Sequence, residues 1–171
     1  MGIISRFPAG ATKPYIEEIY NSDGQLIDAK MYGYETIRDY AFYGCTNLAL
    51  TSLPNGITSI GNNAFRDCTS LALTSLPSGI TSIGAYAFSR CQSLALTSLP
   101  SGITSIGNYA FSSCSSLASL TFEGTPEHIS YAAFIGCYNL TTINVPWAEG
   151  AVADAPWGAT DATIHYNYRG A

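Results

Sequence analysis

Residues 65–87 read FRDCTSLALTSLPSGITSIGAYA, and residues 88–110 follow at once as FSRCQSLALTSLPSGITSIGNYA. The two blocks differ only at Arg66/Ser89, Asp67/Arg90, Thr69/Gln92 and Ala85/Asn108, so one unit of 23 residues has been duplicated. Outward from this pair the same step carries Phe42, Phe65, Phe88, Phe111 and Phe134, and each is followed three residues later by Cys45, Cys68, Cys91, Cys114 or Cys137. No apolar run inside the unit is long enough for an ordinary helix. Pro77-Ser78-Gly79 separates two short β-like segments, and Gly84 opens a third that ends in Ala87-Phe88. One such coil cannot bury its own Leu, Ile and Phe, but coils stacked about 4.8 Å apart bury them as continuous columns. The pattern predicts a β-rich solenoid, a superhelix of 23-residue coils with parallel short strands and short helical or 3-10 turns, capped at both ends.

The pattern Cys-x-x-Leu…Leu-Pro-x-x-Ile-x-x-Ile-Gly-x-x-Ala-Phe-x-x-Cys resembles the leucine-rich repeats of the BspA-like, or Treponema pallidum, class, from about Ile37 to Pro146. The resemblance implies a right-handed leucine-rich-repeat solenoid with no catalytic residues and no cofactor. It also implies a cell-surface or extracellular, adhesion-type setting in bacteria. Two departures stand out. The fourth coil carries Phe122, Glu123, Gly124, Thr125 and Pro126 in place of Leu-Pro-x-Gly-Ile, and the fifth breaks off after Val145-Pro146.

These breaks divide the chain into a mobile N-terminal segment (1–14), a cap with a degenerate first coil (15–41), five repeats with the last truncated (42–146), and a C-terminal cap (147–171). Glu17, Glu18, Asp23, Asp28, Lys30, Glu35, Arg38 and Asp39 crowd the first cap, as an open solenoid edge requires if it is not to pair with another molecule. In the last cap Ile164, Tyr166 and Tyr168 alternate with His165 and Asn167, which reads as a terminal strand, and Trp147 and Trp157 are expected to cover the last rung. The opening MGIISRFPAG contains no apolar run of secretory-signal length, and it also resembles the starts of some prophage structural proteins.

Seven Lys and Arg against twelve Asp and Glu give a formal charge of -5, with no basic field to neutralise phosphates, so nucleic acid is not an expected partner. No stretch approaches the roughly 18 apolar residues of a membrane span, which argues against membrane insertion. The five thiols sit one coil apart, not in the local Cys pairs that zinc sites use, and read as a column of buried, reduced side chains without metal or disulfide. The two histidines, His128 and His165, lie in different regions, and no nucleophile elbow, metalloprotease helix or phosphate loop accompanies them. Catalysis is not expected. The Thr58/Thr81/Thr104 and Ser59/Ser82/Ser105 ladders would suit ice binding only if uninterrupted, and Glu127 and His128 interrupt them.

Tyr40, Tyr86 and Tyr109 occupy one place in their coils, two before Phe, with Asn63 and Ala132 at the other two. With Arg66, Asp67 and Arg90 nearby they form the candidate partner-binding set, because Tyr and Arg are enriched at interface hot spots. The bland alternative is a row of rings packed along the coil edge with hydroxyls in water. A phase difference adds a second question: Leu50, Leu73 and Leu96 stand one residue earlier in their coils than Leu120 and Ile143. Either a bulge or altered phase returns these leucines to the core, or they form an exposed apolar stripe; their two-residue spacing from Leu48, Leu71 and Leu94 favours the core.

The expected function is a non-enzymatic interaction module offering a solenoid face to a protein or glycan. The near-identity of coils two and three supports the rival expectation, a structural spacer or decoration domain, such as one on a prophage particle.

Overall fold

The computed structural model describes residues 14–170 and the backbone of Ile3–Ile4. The expectation of a mobile segment over residues 1–14 falls mostly outside the described residues. The chain begins with an antiparallel sheet of β1 (Ile3–Ile4), β2 (Tyr15–Tyr20) and β3 (Leu26–Tyr32). Asn21 shapes the β2–β3 turn, its Oδ1 accepting the N–H groups of Asp23 and Gln25. From Thr36 the chain winds into coils. β4 (Thr36–Ile37), β5 (Ser59–Ile60), β6 (Ser82–Ile83), β8 (Ser105–Ile106) and β10 (His128–Ile129) form one parallel sheet. β7 (Ser98–Leu99), β9 (Ser119–Phe122), β11 (Thr142–Asn144) and β12 (Thr163–His165) form another.

Register follows the repeat, with Ile37, Ile60, Ile83, Ile106 and Ile129 side by side and buried. Inside the coils, the rings of Phe42, Phe65, Phe88, Phe111 and Phe134 stack with centroids 5.2, 5.4, 5.4 and 5.3 Å apart. Trp157 stands one repeat after Phe134, is fully buried, and accepts the Phe134 N–H at its carbonyl (2.9 Å), so the backbone ladder gains a sixth rung, while its ring lies against Phe122 and Trp147. Trp147 is buried beside it, with ring centroids 6.2 Å apart, and β12 adds in parallel to β11.

Leu50, Leu73 and Leu96 are core residues. The altered phase is real: Thr97 is exposed while Leu120, one repeat on, is buried. In coils one to three the Leu-x-Leu pair turns both leucines inward, and the neighbouring coils are joined there through Ala72 N–H to Leu50 O (3.0 Å) and Ala95 N–H to Leu73 O (3.1 Å). Regular strands appear on that side only from β7 onward.

The short helical turns differ from the expectation. Among the described residues there is no helix, and the segment around each Phe is a chain of single turns, such as Ser89 N–H to Tyr86 O (3.1 Å) and Cys91 N–H to Phe88 O (3.1 Å). Left-handed residues interrupt it. Tyr40, Asn63, Tyr86 and Tyr109 have φ of 60°, 56°, 57° and 56°, and Gly44, Asp67, Arg90, Ser113 and Gly136 have φ of 70°, 61°, 61°, 57° and 77°. A residue in this conformation ends helical propagation, and here it aims its N–H at the following coil. Tyr86, Phe88 and Arg90 donate forward to the carbonyls of Asn108, Ala110 and Ser112 at 2.9, 2.7 and 2.8 Å. The strands donate backward: Thr81 to Thr58 O and Gly84 to Ile60 O, at 2.7 and 2.8 Å. Where strand meets turn the coils nearly touch. A Cβ on Gly84 would lie 2.7 Å from Asn62 N, so only glycine fits.

Candidate interaction surface

The chain exposes two edges, one built from the Pro-x-Gly turns and one from the turns around each Phe. The four differences between coils two and three all lie on the second: Ala85/Asn108 three residues before the Phe, and Arg66/Ser89, Asp67/Arg90 and Thr69/Gln92 one, two and four after it. The strands that follow, Thr-Ser-Ile-Gly in both coils, do not vary.

On this edge the structure brings most of the candidate set together. Tyr86 and Tyr109 stack with centroids 4.9 Å apart and planes 16° from parallel. The rung before Tyr86 has Asn63 instead of a ring, and the guanidinium of Arg66 fills the gap, 5.0 Å from the Tyr86 centroid and 5.9 Å from that of Tyr43. Arg66 also donates to Asn63 Oδ1 at 3.3 Å. Asp67 sits between the two arginines, 3.6 Å from Arg66 Nε and from Arg90 Nη1. Such exposed pairs are worth only about 0–1 kcal/mol, so they orient the side chains more than they hold the fold.

Tyr40 stands apart from the stack. It is 60% exposed and lies against Tyr43, with centroids 5.7 Å apart. Both faces of Tyr86 are occupied, one by Tyr109 and one by Arg66, which is the edge-packing arrangement; Tyr40 is the ring that presents free surface. Five of the six candidates, Arg66 being the exception, hold left-handed backbone. Their placement is a consequence of the forward hydrogen bonds, and the side chains are displayed from backbone that glycine or asparagine would adopt more easily.

Sequence reasoning missed Tyr43, which lies one repeat before Arg66 and so was countable. It also missed Tyr131, Ile135 and Tyr138 on the fifth turn, which are 64%, 45% and 76% exposed. A cleft of about 870 Å³ between β3 and the first coil contains none of the six candidates. The threonine ladder is committed to the backbone: Thr58, Thr81 and Thr104 hydroxyls donate to the carbonyls of Glu35, Thr58 and Thr81, each at 3.1 Å.

The thiol column is partly as expected. Cys68, Cys91, Cys114 and Cys137 are buried free thiols, and burial pushes Cys68 up to about 12 and Cys137 to about 11, with Cys91 and Cys114 also raised. Cys45 is a correction, being only half-buried, because the hairpin of β2 and β3 precedes it in place of a coil. No helix of the described residues is long and apolar enough to cross a membrane.

A family model described as the BspA type leucine rich repeat region matches residues 35–150 with six copies. No curated protein matches the chain in sequence. Among solved structures, the leucine rich repeat protein of T. pallidum is similar over 95% of this chain and 82% of its own, with a TM-score of 0.61 and 26% identity. A leucine-rich repeat protein from Bacteroides ovatus shares the fold at TM-score 0.50 and 22% identity, over 83% of this chain and 45% of its own. The pneumococcal vaccine antigen PcpA does so at TM-score 0.51 and 18% identity, over 87% and 47%. The chain thus spans less than half the length of the last two. With the repeat, the Phe and Ile ladders and the family match in agreement, the chain belongs to the BspA-type leucine-rich-repeat family.

Proposed function

We propose that the chain is a non-enzymatic interaction module of bacterial surface or adhesion type, and that it meets a protein or glycan partner along the edge carrying Tyr40, Arg66, Asp67, Tyr86, Arg90 and Tyr109. One observation carries this reading: where coils two and three differ, they differ only on that edge. A face under selection for a partner diversifies there while the strands stay constant. Tyr and Arg at the centre, with exposed Tyr40 beside them, have hot-spot chemistry. A screen of the purified chain against glycan and host-protein arrays tests it. Binding that is lost in the Tyr40→Ser, Arg66→Ser and Arg90→Ser variants supports the reading. Absence of any ligand, or binding indifferent to all three changes, overturns it.

The second reading is a spacer or decoration domain. The unbroken Phe ladder and the 19 identical positions out of 23 in coils two and three favour it, since such coils set length without needing a specific face.

A further inference from the structure

The first coil closes on Pro54-Asn55-Gly56, where the next two close on Pro77-Ser78-Gly79 and Pro100-Ser101-Gly102. This is the one Asn-Gly pair in the chain. Both residues are exposed at a turn, and the Gly56 N–H finds no backbone acceptor. A Cβ built on Gly56 would meet only the Tyr34 carbonyl oxygen, at 3.6 Å. An amide nitrogen with neither a hydrogen bond nor a side chain on its α-carbon is free to approach the carboxamide of the residue before it.

We propose that Asn55 is a covalent modification site, converting spontaneously to aspartyl and isoaspartyl forms. The Gly56 nitrogen loses its proton to solvent base and attacks Asn55 Cγ. The new N–Cγ bond forms as the Cγ–Nδ2 bond breaks, and ammonia leaves with a proton from solvent. Water then opens the five-membered imide at either carbonyl. Breaking N–Cγ gives aspartate; breaking the bond to the main-chain carbonyl gives isoaspartate, in which the chain runs through Cγ. Nothing is oxidised or reduced, and water is the sole co-reactant.

Several other sites are held. Gly24, after Asp23, donates its N–H to Asn21 O at 3.1 Å. The Asn21 carboxamide is engaged at both ends, with the N–H groups of Asp23 and Gln25 and with Gln25 Oε1. Asn62 Oδ1 accepts Ala85 N–H and Asn139 Nδ2 donates to Ser115 O. Isoaspartate would add one backbone methylene between Leu53 and Ile57, both buried, across the turn closed by Ile57 N–H to Pro54 O at 3.2 Å. The first coil then loosens. The modified turn lies across the coil from the Tyr86–Tyr109 stack, so it leaves that edge alone.

The test is peptide mapping by mass spectrometry of the full chain aged in mildly alkaline buffer. The expected result is that the Asn55 peptide gains one mass unit before any other asparagine peptide and splits into two isomers, faster as pH rises. Gly56→Ala, for which the turn has room, slows the change by an order of magnitude, and Asn55→Ser abolishes it. The proposal is overturned if Asn55 stays intact while other asparagines convert, if Gly56→Ala leaves the rate unchanged, or if conversion occurs only in denaturant. None of these outcomes bears on partner binding, which is read separately.

Discussion

The Sγ of Cys91 donates to the carbonyl oxygen of Phe65, in the coil behind its own, at 3.0 Å. Cys68, Cys114 and Cys137 make the same bond to Phe42, Phe88 and Phe111, at 2.9, 3.0 and 2.9 Å. The carbonyls of Phe42, Phe65, Phe88 and Phe111 therefore each serve two donors, since the N–H of the Cys three residues later also binds each, as Cys68 does to Phe65 at 3.1 Å. Cys45 has no coil behind it. A thiol reagent in native buffer is expected to label Cys45 promptly and the other four only after denaturant is added, because access and thiolate formation are both blocked by burial. Rapid native labelling of two or more thiols would refute the closed column.

Alkali should weaken the fold. The buried thiols have folded pKa values raised above the unfolded value of about 8.5, chiefly by desolvation. Between the two values the folded chain holds more protons than the unfolded one, so stability falls as pH rises, and below about 8.5 the full contribution is present. Each thiol contributes a slope of up to about 1.4 kcal/mol per pH unit. Denaturation midpoints measured from neutral pH to beyond the Cys137 value, about 11, should show this decline. A Cys91→Ala variant should show a shallower one.

Leu73 has no exposed surface, so Leu73→Ala should lose roughly 2–5 kcal/mol through lost burial and the cavity left behind. Tyr166→Ala, at the half-buried end of the last cap, should act differently. Coupling in a solenoid is to nearest neighbours, so hydrogen exchange should quicken in β12 and β11 and stay unchanged at β5 and β6. Uniform loosening would contradict that locality.

Arg90 holds φ of 61° at a place where Gly44 and Gly136 serve the first and fifth coils. Arg90→Gly exchanges left-handed strain of about 1–2 kcal/mol for a glycine entropy cost of roughly 0.5–1 kcal/mol. Stability should move by no more than about 1 kcal/mol either way, while the β-branched Arg90→Val should lose more. Equal behaviour of the two variants in urea would show that the side chain, not the backbone, dominates there.

Much of the fold was legible because identity at a fixed step survives without knowledge of geometry: the Phe, Ile and Cys columns follow from counting. Burial of Leu73 was also readable from its spacing to Leu71. The left-handed turns were not, since Tyr86 and Arg90 are poor indicators of that conformation and only Gly44, Asn63, Asp67 and Gly136 hinted at it. The Arg66 stack escaped notice because it joins two different repeat positions, one after Phe and two before it, which meet only when side chains reach between coils. Trp157 kept the step of 23, but its change from Phe and the Pro156 before it hid the rung. The exposure of Cys45 depends on a hairpin standing where a full coil would, and no sequence local to Cys45 reports that exchange.

The opposed directions of the two hydrogen-bond ladders, backward on the strands and forward on the turns, have a bearing on how such a chain changes length. Because every bond spans a fixed step of one coil, a cut at equivalent points of two coils leaves matching donors and acceptors on both sides. Removing residues 66–88 would join Phe65 to Ser89; the N–H groups of Gly44 and Phe65, now bound to Arg66 O and Ala87 O, would find Ser89 O and Ala110 O in the coil that moves up, with no peptide group orphaned. Recombination between repeats is thus structurally silent inside the stack, and the molecule can be shortened or lengthened in whole rungs of about 4.8 Å while the two capped ends stay as they are.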